Sequence, residues 1–203
     1  MKFYRFALFI VTLWCRIRGC KFYGLEHLLS DGPVVIMSNH THWADPIYLG
    51  VAYQKRPIHF IAKEEFFQKK WRDKILRCLG SFPVARGEAD LSALKTAFGL
   101  LRKNEVLGIF PEGTRNKDKV GVLPFKHGAV LIAYKGKAPI IPVGIKNSEN
   151  LLKFWKPKPE ISVGAPIYFQ IPTGEKPNNQ ETIETYTQTA QQAVADLLKE
   201  LGQ

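Results

Sequence analysis

Two histidines and an aspartate fall within six residues in Asn39-His40-Thr41-His42-Trp43-Ala44-Asp45, just beyond the apolar run Val34-Val35-Ile36-Met37. An imidazole with a carboxylate on one ring nitrogen makes a general base: the carboxylate fixes the tautomer and stabilises the imidazolium, and the other nitrogen takes a proton. Asp45-Pro46 reads as a helix start, with the aspartate as N-cap and the proline at the first helical position. The turn from His40 to Asp45 is long enough to fold back and bring carboxylate to ring. This would be the base-and-orienter half of a triad, because the chain has no Gly-x-Ser-x-Gly elbow to supply a nucleophile. The hydroxyl to be activated then belongs to a substrate. Two other readings use the same residues. His40, His42 and Asp45 could ligate a metal, although no matching cluster follows and His27, His59 and His127 stand isolated. Asp45 could also simply cap a helix, leaving both histidines on the surface.

A second cluster, Phe110-Pro111-Glu112-Gly113-Thr114-Arg115, opens a stretch containing Lys117, Lys119 and Lys126. Guanidinium is a planar fork suited to phosphate oxygens, and a glycine lets backbone approach a ligand closely. Nearby amides could add an anion nest. The plainer alternative pairs Glu112 with Arg115 as a salt bridge shaping the loop. A third cluster, Arg86-Gly87, adds another guanidinium, or an ordinary solvated charge.

The elements that would carry these clusters alternate short apolar runs with longer amphipathic ones, the pattern of a single α/β domain. Strands are expected at 34–37, 58–62, 81–85, 106–110, 140–145, 160–164 and 167–171. Helical stripes run through Leu91, Leu94, Phe98 and Leu101, and through Ile183, Tyr186, Ala190, Val194, Leu197 and Leu201 before Gly202. Each polar cluster directly follows a strand. If those strands are parallel, the histidine–aspartate pair and the arginines converge at one rim of the sheet, where open α/β folds bind ligands.

With 203 residues the chain is long enough for one well-cored domain. A formal net charge of +11 points to an anionic partner. Nucleic acid is the poor choice, since the basic residues are dispersed and no nucleic-acid-binding motif is present. Three unpaired-looking cysteines, Cys15, Cys20 and Cys78, fit a reducing compartment. Residues 1–21 hold a ten-residue apolar block, Phe6 to Cys15, between Lys2 and Arg5 on one side and Arg16, Arg18 and Lys21 on the other. That block is too short to span a bilayer and lacks a signal-peptide cleavage site. It suits a segment lying in the face of an anionic membrane, the alternative being a terminal helix packed on the core. Aromatic and basic residues between Phe66 and Arg77 are a further candidate for a surface helix. Residues 22–203 then form the domain proper.

Taken in order, these residues resemble the 1-acylglycerol-3-phosphate acyltransferase family. The matching blocks are Asn39-His40 to Asp45, then Ser81-Phe82-Pro83-Val84-Ala85-Arg86-Gly87, then Phe110-Pro111-Glu112-Gly113-Thr114-Arg115 with Phe125-Lys126-His127-Gly128-Ala129, and finally Ala138-Pro139-Ile140-Ile141-Pro142-Val143. The resemblance implies a mixed, mostly parallel sheet flanked by helices. It also implies transfer of an acyl chain from acyl carrier protein or coenzyme A to the sn-2 hydroxyl of lysophosphatidic acid, giving phosphatidic acid, with no metal or other cofactor. His40 would be the base and Asp45 its orienter. Arg86 and Arg115 would hold the acceptor's phosphate, with Glu112, Gly113 and Thr114 shaping that site. The enzyme would work peripherally at the cytoplasmic face of the cell membrane. Variants of this expectation are the same chemistry on glycerol 3-phosphate or another lysophospholipid, and a catalytically silent lipid-binding protein. One position departs from the family pattern: His42 stands where a serine is common.

Overall fold

The computed structural model describes residues 2–84, 91–170 and 180–202. Seven strands form one sheet: β1 (Lys21–Tyr23), β2 (Val34–Ser38), β3 (Ile58–Lys63), β4 (Phe82–Val84), β5 (Val106–Ile109), β6 (Ile140–Lys146) and β7 (Glu160–Val163). Their order across the sheet is β1-β7-β6-β2-β5-β3-β4. The five strands from β6 to β4 are parallel to one another. β7 runs antiparallel to β6, and β1 runs parallel to β7. This is the expected mostly parallel α/β sheet.

Six helices flank it: α1 (Lys2–Arg18), α2 (Asp45–Ala52), α3 (Lys70–Cys78), α4 (Leu91–Leu101), α5 (His127–Lys135) and α6 (Gln180–Glu200). The central strands read as unbroken apolar runs because both their faces are covered. In β2, Val35 and Met37 join the core beneath α4, α5 and α6, while Val34 and Ile36 join the second core beneath α1 and α2.

The structure departs from what the sequence led us to expect at β1, an edge strand absent from the expected set, and at two further places. Residues 167–171 do not form a described strand: Ile167 makes a single antiparallel bridge to Ile140, and residues 171–179 lie outside the described residues. An antiparallel run beyond Ile167 would face residues before Ile140, where β6 has not begun and the Ala138 N–H is already given to the Ala133 carbonyl at the end of α5. The last departure is at α2, whose N-cap is Ala44 rather than Asp45. The aspartate occupies the first turn, and its carboxylate turns back onto the preceding loop.

α1 packs on the core along one side and leaves the other exposed. Leu8, Val11, Trp14 and Cys15 pack on the second core, whereas Phe6, Phe9, Ile10, Leu13 and Ile17 are exposed. α3 has no buried residue and shows Trp71 and Ile75 to solvent, so it is a surface helix. No helix among the described residues is long and apolar enough to cross a membrane.

Candidate active site

The carboxyl ends of the neighbouring strands β2, β5 and β6 bring three loops together. Asn39 fixes the first. Its Nδ2 donates to the Ile145 carbonyl at 2.9 Å, and its Oδ1 accepts from the Ile145 N–H at 2.8 Å. A side-chain amide thus replaces one rung of the β2–β6 ladder, and the chain can leave the sheet at His40 without stranding buried backbone groups.

His40 Nδ1 lies 2.7 Å from Asp45 Oδ2, with the carboxylate fully buried and the ring partly so. The same oxygen accepts from the Thr41 and His42 N–H groups, each at 2.8 Å. Three bonds on one oxygen lock the turn. A carboxylate only accepts, so Nδ1 carries the proton and Nε2 is left with its lone pair. No described protein group bonds Nε2. The Phe110 ring stacks on the imidazole with centroids 4.2 Å apart, and Phe60 stacks on Phe110 in turn at 6.0 Å. Among the described residues no group of three or more histidine, cysteine, aspartate or glutamate side chains could hold a metal ion.

The loop after β5 closes over this pair. The Asn116 N–H donates to the His40 carbonyl at 2.7 Å, and its buried side chain organises residues 116–121 through the Lys119 N–H and the Val120 carbonyl. Lys119 reaches across to Glu149, 2.9 Å away in the 3-10 turn Ser148–Asn150 after β6. Thr41 Oγ1 meets Ser148 Oγ at 3.1 Å. The sequence holds no signal for these ties, which join residues far apart along the chain.

The predicted anion site is partly assembled. Arg115 and Thr114 are exposed at the head of the loop, and Arg115 forms no ion pair with a described residue. Gly113 takes φ +69°, and a Cβ there would sit 2.7 Å from Lys126 Nζ. Lys126 therefore lies across the glycine and adds a second cation beside Arg115. Glu112 behaves differently from its neighbours. It is 4% exposed, and its carboxylate oxygens lie near the His40 and Leu123 backbones without a well-formed hydrogen bond. Burial pushes its pKa up to about 7, with Asp45 adding to the rise and the backbones of His40 and Leu123 opposing it. Glu112 thus makes no salt bridge with Arg115 and is buried beneath the loop rather than exposed at its head. Arg86 lies outside the described residues.

His42 sits next to the base with its ring near Trp43, centroids 5.2 Å apart. Burial lowers its pKa, Asp45 and Glu149 oppose that, and Lys119 and Arg115 push it down further. The ring is a neutral neighbour of the site.

Comparison with known proteins identifies the family. The family described as Acyltransferase matches residues 19–146. The chain is 36% identical over 202 residues to a 1-acyl-sn-glycerol-3-phosphate acyltransferase of Bacillus subtilis (strain 168), covering 98% of this chain and 99% of the relative. It is 28% identical over 184 residues to the protein of that name from Streptococcus pneumoniae, covering 88% of this chain and 66% of the relative. The fold is similar to that of the crystallised 1-acyl-sn-glycerophosphate acyltransferase from Thermotoga maritima, with a TM-score of 0.72 at 24% identity, covering 99% of this chain and 82% of the other. The chain belongs to the acyltransferase family that includes these 1-acyl-sn-glycerol-3-phosphate acyltransferases.

Proposed function

We infer that the protein moves a fatty acyl chain from a thioester donor to the sn-2 hydroxyl of 1-acyl-glycerol-3-phosphate, releasing phosphatidic acid for phospholipid synthesis. The observation that carries this reading is His40, held by Asp45 at 2.7 Å with its Nε2 unclaimed, beside a loop bearing Arg115 and Lys126. His40 Nε2 takes the proton of the acceptor hydroxyl as its oxygen attacks the thioester carbonyl. The tetrahedral intermediate collapses by breaking the C–S bond, and the leaving thiolate recovers the proton from His40. The thioester supplies the driving force, so neither a metal nor an acyl-enzyme is needed. Arg115 and Lys126 take the acceptor's phosphate, with Arg86 as a further candidate. Gly113 and Thr114 shape the approach. Acyl carrier protein and acyl-coenzyme A both suit a protein of net charge +11. The exposed apolar face of α1 supports work at a membrane surface, taken to be the cytoplasmic leaflet of the cell membrane.

The test is a purified-protein assay with both donors and a panel of acceptors, including glycerol 3-phosphate. His40→Ala should lose at least about 100-fold in rate, the range for a removed general base, with its thermal melting unchanged. Full activity in that variant would sink the mechanism, and preference for glycerol 3-phosphate would reassign the acceptor.

A further inference from the structure

The chain spends a buried arginine on holding an exposed apolar loop. Arg18, only 3% exposed at the end of α1, donates from Nε to the Asn150 carbonyl at 3.2 Å. Its Nη2 serves the carbonyls of Lys153 and Lys156, both at 2.8 Å, and of Pro157 at 3.3 Å. The guanidinium also lies over the Phe154 ring, and Trp14 adds an edge contact to Phe154 and a hydrogen bond to the Leu151 carbonyl. Loops held this firmly normally turn their apolar side chains inward. This one leaves Leu152 66% and Trp155 79% exposed, with Lys153, Lys156 and Lys158 between and after them.

Three observations bear on what covers it. A tryptophan and a leucine among lysines have the composition of an interfacial anchor, with apolar tips for the acyl boundary and cations for anionic headgroups. Through Trp14 and Arg18 the loop is joined to α1, whose exposed Leu13 and Ile17 flank those two residues in the helix. The loop follows the carboxyl end of β6, the end of the sheet where β2 and β5 deliver His40 and Arg115 and where Trp43 stands exposed.

We propose that residues 152–156 form a second membrane anchor, clamped by Arg18 to the apolar face of α1, which seats the sheet's active-site end on an anionic lipid surface. The partner is the bilayer itself, identified by the alternation of apolar and cationic groups. This deepens the function proposed above and rests on its membrane reading.

The experiment uses the full chain and sedimentation with vesicles of phosphatidylcholine alone or mixed with phosphatidylglycerol. Leu152→Ser/Trp155→Ser should weaken partition into mixed vesicles about tenfold or more, from the apolar area kept out of the membrane. Lys153→Gln/Lys156→Gln should weaken it about fivefold per lysine on mixed vesicles, with little change on neutral ones. Both variants should keep wild-type rates on a short-chain acceptor dispersed as monomers. If the wild type binds mixed vesicles and Leu152→Ser/Trp155→Ser binds equally well, the loop is no anchor and only this inference falls. Failure of the wild type to bind mixed vesicles would overturn the membrane reading as well. Unchanged vesicle binding with a raised KM for an acyl carrier protein donor would reassign the loop to an acidic protein partner and overturn the proposal. Trp155→Ser alone, at a fully surface position, keeps the test informative should the double variant fold poorly.

Discussion

Asp45 and Glu112 are two buried carboxylates placed for opposite ends. Asp45 Oδ2 accepts three hydrogen bonds, one from the ring it orients and two from the turn that holds the ring. Asp45→Asn keeps the shape but offers an amide where the imidazolium needs a negative charge. It should cut kcat by about 100-fold or more while leaving KM for the donor near wild type. An unchanged kcat in steady-state kinetics would deny Asp45 its orienting role. The backbones of His40 and Leu123 offset only part of the cost of burying Glu112, and its folded-state pKa of about 7 lies above the ordinary value of 4.5. Below about pH 4.5 the carboxyl is protonated both folded and unfolded and costs nothing. As pH rises toward and through 7 the unfolded chain has already released a proton that the folded chain retains, so stability falls, by about 3 kcal/mol when ionisation is complete. Glu112→Gln should flatten this decline, seen as a higher melting temperature than wild type at pH 8 and little difference at pH 5. Equal slopes in both proteins would show that Glu112 ionises freely. The sequence made Asp45 legible, because five residues of turn connect it to His40. It could not make the state of Glu112 legible: whether a carboxylate after a strand points to solvent or to the interior is decided by packing, and here it is buried next to the His40 backbone.

The elements were legible where the periodicity was strong and both faces of a strand were buried, as in β2, β5 and β6. They were less so where a partner was already engaged, as at Ala138, whose N–H goes to the Ala133 carbonyl and not to the stretch after Ile167. How an element aims a catalytic side chain is a matter of close packing, and β5 shows it. Gly108 is the one residue of that strand without a side chain, and a Cβ there would lie 2.4 Å from Phe60 Cε1. The glycine lets Phe60 lie flat against β5, Phe60 supports Phe110, and Phe110 stacks on the His40 ring. Gly108→Ala should therefore displace the stack and tilt the base. The expected cost is about 1–3 kcal/mol of stability from overpacking, together with a fall in kcat of about tenfold or more, since small misplacements of a catalytic group are expensive. Chemical denaturation and steady-state kinetics measure the two effects separately. Gly108→Ala that is destabilised yet fully active would break the link between the ring stack and the base.

At the scale of the whole molecule, α1 packs on the sheet through its apolar side, and a buried cation ties the loop beyond β6 to the end of that helix. Arg18 finds no carboxylate partner among the described residues. Its charge is met by the carbonyls of Asn150, Lys153, Lys156 and Pro157, and backbone dipoles gathered from one turn serve in place of a counter-ion. A lysine could not copy this, since one ammonium cannot span four acceptors set out for a planar fork. Arg18→Met keeps the apolar stem and removes the donors. It should destabilise the protein by about 3 kcal/mol, from lost charge-assisted bonds and partly buried carbonyls left unpaired, which for a chain of 203 residues lowers the melting temperature by about 6–12 °C. The damage should be local before it is global. Amide exchange should accelerate first in residues 150–157 and in the last turn of α1, while β2, β5 and β6 keep their protection until the molecule unfolds as a whole. His40 and Asp45 belong to that protected centre, so transfer to a monomeric acceptor should survive in Arg18→Met at temperatures where the protein is folded. If exchange instead rises uniformly across the sheet, Arg18 supports the whole core rather than tethering one loop to one helix.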